Sequence, residues 1–82
     1  MNFNDEEIDR LLAGERVEIT VGKWYMLYEV GRTFQAQRRS RTLGDYTVDA
    51  IVKIIGHRSE QRGKGRKRPQ FNHIFTFEAV KQ

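Results

Sequence analysis

The residues of this chain best suited to chemistry crowd into one stretch, RSEQRGKGRKRPQ, residues 58–70. Arg58, Arg62, Lys64, Arg66, Lys67 and Arg68 stand there against Glu60, so residues 58–68 carry +5 while the whole chain carries +4. The remainder is close to neutral, and a polyanion is drawn to the insert rather than to the whole surface. Each phosphate that Lys or Arg neutralises releases counterions, and Arg adds a bidentate contact. Gly63, Gly65 and Pro69 make the composition that of a flexible basic loop. Two competing readings of the same run are a merely solvated connection between strands and a contact for a protein partner.

A second cluster, Arg38, Arg39 and Arg41, falls at an expected hairpin tip. Placed beside the first by a curling sheet, it widens the patch to nine positive side chains. Trp24, Tyr25 and Tyr28 can stack unpaired bases. A small β-rich domain also needs large residues in its core, so Trp24 and Tyr28 are assigned to packing and Tyr25 to stacking. His57 and His73 are the only histidines, and with no Cys to complete a zinc set the sequence predicts no metal site and no cofactor. His73, among phenylalanines, reads as a packed or edge residue. Ser40 and Ser59 lack a nucleophile elbow, and RGKGRK lacks the spacing and following helix of a phosphate loop.

These residues need a frame, and 82 residues supply a single domain, 1–82, with one core. The absence of cysteine suits a reducing compartment, and no leader-like or eighteen-residue apolar segment is seen, so a cytoplasmic protein away from membranes is expected. Asn4, with Glu7 three residues on and Phe3 opposite Ile8, announces a helix that Gly14 closes. RVEITV then alternates as a strand, and KWYMLYEV is placed as an extended segment running to Gly31. RTFQAQRR and DYTVDAIVKII, joined through SRTLGD, suggest a hairpin. In the second of these Tyr46, Val48, Ala50, Val52 and Ile54 share one face. FNHIFTFEAV is a last strand, with Phe71, His73, Phe75 and Phe77 together. The expected architecture is α+β: one N-terminal helix against a small, curled, mainly antiparallel sheet or barrel of about five strands.

The order of a helix ending in LLAGE, a strand VEIT, then YEVGRTFQAQ and YTVDAIVKI resembles the ASCH branch of the PUA-like fold over roughly residues 6–56. The resemblance implies a PUA-like β-barrel and an RNA-related role. Some members are described as amidohydrolases or ribonucleases, which here implicates Arg16, Glu18, Thr20 and Lys23. Arg16 stands where the family has Lys, and an Arg does not shed its proton near neutral pH to act as base or nucleophile. The sequence therefore predicts a small accessory protein, of a kind bacteria and phages encode, that binds RNA first and DNA second through Arg38, Arg39, Arg41, Arg58, Arg62, Lys64, Arg66, Lys67, Arg68 and Tyr25. The alternatives are an ASCH-like hydrolase or ribonuclease and a regulator that docks on a host or partner protein. Oligomeric state stays open.

Overall fold

The computed structural model describes residues 1–22, 28–61 and 71–80. Within them β1 (Asn2–Phe3), α1 (Asp5–Leu12), β2 (Val17–Val21), β3 (Thr33–Arg38), β4 (Ala50–Gln61) and β5 (Phe71–Ala79) follow one another. The five strands form one mixed sheet, ordered β1-β3-β4-β5-β2, that curls into a half-barrel. Only the β1–β3 pair is parallel; β3–β4, β4–β5 and β2–β5 are antiparallel. Among the described residues no helix is long and apolar enough to cross a membrane.

Local sequence determines α1 at both ends. The Asn4 side chain accepts a hydrogen bond from the Glu7 N–H at 2.7 Å, and the Glu7 carboxylate accepts one from the Asn4 N–H at 2.9 Å, which satisfies two of the donors a helix start leaves bare. Phe3 and Ile8 flank this box and are both buried, as a hydrophobic staple requires. At the other end Glu15 N–H donates to the Arg10 carbonyl and Gly14 N–H to that of Leu11. That closure needs a left-handed residue after the cap, and Gly14 supplies it at φ +86°.

The helix turns Ile8 and Leu11 onto the sheet, where they meet Phe3, Val17, Ala36, Val52, Ile54, Phe75 and Phe77. In β2 the expected alternation holds: Val17 is buried and Ile19 and Val21 pack against the core, while Glu18 and Thr20 face outward. Phe3 and Phe77 meet edge to face at 5.3 Å, and Tyr28 does the same with Phe34 and Phe75. Tyr28 is thus a packing residue, as expected. Tyr28 to Gly31 are not strand; the rest of the expected extended segment, 23–27, lies outside the described residues.

Simple alternation breaks at two places, and both shape the basic face. First, β4 begins at Ala50 rather than Asp45. Asp45 folds back instead, accepting from both the N–H and the hydroxyl of Thr47 and donating its own N–H to the Thr42 carbonyl. Second, the β4–β5 register slips by one residue between Ile54 and Gly56. Ile54 pairs with Phe77 on the core face, yet Gly56 pairs with Thr76 and His57 with Phe75. This bulge inverts the parity of everything beyond it: His57, Ser59 and Gln61 take the core-side face, and Arg58 and Glu60 the outer one.

Candidate nucleic-acid interface

Beyond the bulge, β4 and β5 outrun the rest of the sheet. The β3–β4 ladder starts at Thr33↔Lys53, and the β2–β5 ladder ends at Val21↔His73, but β4 and β5 continue pairing to Gln61↔Phe71. Among the described residues the last pairs therefore form a two-stranded ribbon. Ser59, Glu60 and Gln61 are exposed on it, and Phe71 at its last pair is 44% exposed. Phe71 shares a face with Phe75 and Phe77, as the alternation predicts, but that face has left the core by the time the strand reaches it. Arg62, Lys64, Arg66, Lys67 and Arg68 belong to the covalent link between the ribbon's two strands and lie, with Tyr25 and Trp24, outside the described residues.

The three arginines expected to widen this patch are not beside it. In two successive antiparallel pairs, the β3–β4 and β4–β5 connections sit at opposite ends of β4, and a 12-residue strand spans roughly 35–40 Å. Arg38 and Arg41 are also engaged with carboxylates. The Arg38 guanidinium meets Asp9 at 2.6 Å, Asp5 at 3.7 Å and Asp49 at 3.9 Å, while Arg41 binds Asp49 and lies 3.8 Å from Asp45. Ser40 joins the group through Asp5 at 2.8 Å. Both guanidinium pKa values are raised, by the hydrogen bonds they donate to Asp9 and Asp49 respectively; Arg38 ties α1 to the end of β3, and Arg41 ties the β3–β4 connection to Asp49. Arg39 is exposed.

Asp49 organises this network. Its side chain is 7% exposed and accepts from the Arg38 backbone N–H at 2.8 Å as well as from Arg41. The Arg41 hydrogen bond, then the Arg38 N–H, hold its carboxyl below the ordinary value near 3.8. A carboxyl depressed on folding stabilises the protein at pH values above its unfolded pKa, and that stabilisation disappears as pH falls through the lower folded value. Asp49→Asn keeps an acceptor for Arg38 N–H but removes the charge. Its melting temperature is expected to lie on the order of 5–10 °C below wild type near pH 7, with the gap closing below about pH 4. A thermal melt series across that range checks it.

Arg58 points from the outer face of β4 to Glu18 on β2, which it binds, and to Glu60 at 3.5 Å. The Arg58 hydrogen bond, with help from Thr76, lowers the Glu18 pKa. Of the four residues that the ASCH resemblance implicates, Arg16 is exposed ahead of β2, and Glu18 and Thr20 share the exposed face of that strand. Lys23 lies outside the described residues. A carboxylate so firmly paired is a poor proton acceptor.

Two features of this region were not expected from the sequence: the exposure of Phe71 and a contact between the two histidines. His57 Nε2 lies 3.1 Å from His73 Nδ1, and the Ser59 hydroxyl is 3.2 Å from the same His73 nitrogen. Periodicity contains a signal for Phe71, because its strand extends past the last apolar partner; the histidine contact depends on the bulge.

No protein-family model matches the chain, and neither the curated proteins nor the solved structures contain a significant match.

Proposed function

We propose that the chain is a nucleic-acid-binding accessory protein whose ligand is RNA in single-stranded form ahead of DNA. The observation that carries this reading is the last ribbon pair, Gln61↔Phe71: a half-exposed aromatic stands where the two strands meet the link that contains five Lys and Arg residues. Single-strand binders combine those two elements, cations that follow the phosphates and a ring on which a base stacks. The near-neutral remainder supports it too, since Arg38, Arg41 and Arg58 are neutralised by the protein's own carboxylates. The densest run of cations left to attract phosphate is the link.

The test is fluorescence anisotropy on labelled single-stranded RNA, duplex RNA and duplex DNA across a salt series. With five phosphates neutralised, log K for the single strand falls against log salt with a slope of about −3.5. Phe71→Ala is expected to weaken single-strand binding by about 1–3 kcal/mol, roughly 5- to 150-fold, and to leave the slope unchanged, because stacking releases no counterions. No binding to any of the three at moderate salt would turn the reading toward a protein partner.

A further inference from the structure

The contact between His57 and His73 is neither core packing nor part of the phosphate-binding reading. We propose that these two histidines form a chelate for a late transition-metal dication, of which zinc is the representative, on the core-side face of the β4–β5 ribbon. The proposal is independent of nucleic-acid binding.

Three observations support it. The two nitrogens aimed at each other, His57 Nε2 and His73 Nδ1, are 3.1 Å apart. Two imidazoles bound to one tetrahedral zinc at 2.0–2.1 Å hold their nitrogens about 3.3 Å apart, close to the present spacing, so a metal would take the place of the hydrogen bond between the rings. The histidines are also pre-positioned: they occupy neighbouring strands in a fixed ladder, where His57 pairs with Phe75 and His73 with Ser59. The His57 ring lies flat on that of buried Phe75, centroids 4.5 Å apart and planes 9° apart, which holds its orientation without using either nitrogen. Finally, the site is reachable, since His57 is exposed and His73 partly so.

The donor chemistry selects the metal class. Imidazole suits zinc, copper and nickel, whereas magnesium and calcium demand oxygen ligands. The Ser59 hydroxyl is 3.2 Å from the same His73 nitrogen and gives up that contact when a metal binds there. Two protein ligands leave further positions to exchangeable waters, so affinity belongs in the micromolar range rather than that of a four-ligand structural zinc site. Local ligand spacing gives no sign of the pair, because the histidines are sixteen residues apart and meet only through the register.

The experiment is titration of the full chain with zinc chloride by calorimetry, beside His57→Phe, which keeps the ring on Phe75 and removes the nitrogen, and His73→Asn. One zinc per chain is expected for wild type, each variant weakening binding by more than about 100-fold. A thermal melt provides a second reading and shows whether each variant folds. Zinc at 100-fold over its Kd raises the wild-type melting temperature by about 10–20 °C and leaves both variants unmoved. Wild type without saturable binding up to about 1 mM zinc, or a folded variant that binds as wild type does, overturns the proposal.

Discussion

Changing Arg62, Lys64, Arg66, Lys67 and Arg68 together to Ser is expected to abolish measurable single-strand binding at moderate salt while leaving the melting temperature within a few degrees of wild type. The two outcomes are expected to separate because the ion pairs among the described residues employ Arg10, Arg38, Arg41 and Arg58. The salt slope, about −3.5 in the wild type if all five side chains reach phosphates, drops toward zero, and affinity at low salt falls by several orders of magnitude. Arg38→Ser makes the contrasting control. It disturbs the contact of β3 with α1 and lowers the melting temperature, but it sits at the far end of β4 and leaves the slope intact. Anisotropy and thermal melts on the same preparations distinguish the two.

The second large effect is on stability. Phe75 is fully buried and stands at the middle of the sheet, paired with Ile19 on β2 and His57 on β4, and it meets Tyr28 edge to face at 5.2 Å. Phe75→Ala costs about 3–5 kcal/mol, the lost ring contacts included. At roughly 0.05–0.15 kcal/mol per residue, a domain of 82 residues has about 4–12 kcal/mol in all. The variant is expected to be largely unfolded at 37 °C. Phe75→Leu fills most of the space and stays folded, with a melting temperature lower by on the order of 10 °C. Circular dichroism on heating measures both.

What could be read directly from the chain was local. The capping box at Asn4 and Glu7, the closure at Gly14, the alternation in β2 and the shared face of Phe71, Phe75 and Phe77 each depend on residues within a few positions of one another. β1 could not be found that way, since two residues have no period and Phe3 is held by pairing with Arg38 thirty-five positions later. Nor could the commitment of Arg38, whose partners on α1 lie 29 and 33 residues back. Asp49 misled the strand assignment because its side chain does backbone work, accepting from the Arg38 N–H where a ladder partner would stand.

The bulge is the most instructive case. Continued alternation from Ala50, Val52 and Ile54 sends residue 58 to the core face and residue 57 outward. One extra residue on β4 reverses this, so Arg58 reaches Glu18 and His57 reaches Phe75 and His73. The placement of the basic clusters follows from strand pairing: with β3–β4 and β4–β5 both antiparallel, the two lie at opposite ends of β4 and not side by side as the curling sheet suggested.

The most direct test of nucleic-acid binding by the ribbon is to map single-stranded RNA onto the protein by backbone amide NMR. The largest shifts are expected on Ser59–Gln61, on Phe71 and Asn72 and on the link between them, with the Phe71 ring moving as well. Shifts centred instead on Arg38–Thr47 or on α1, or none at a concentration that saturates anisotropy, would contradict it.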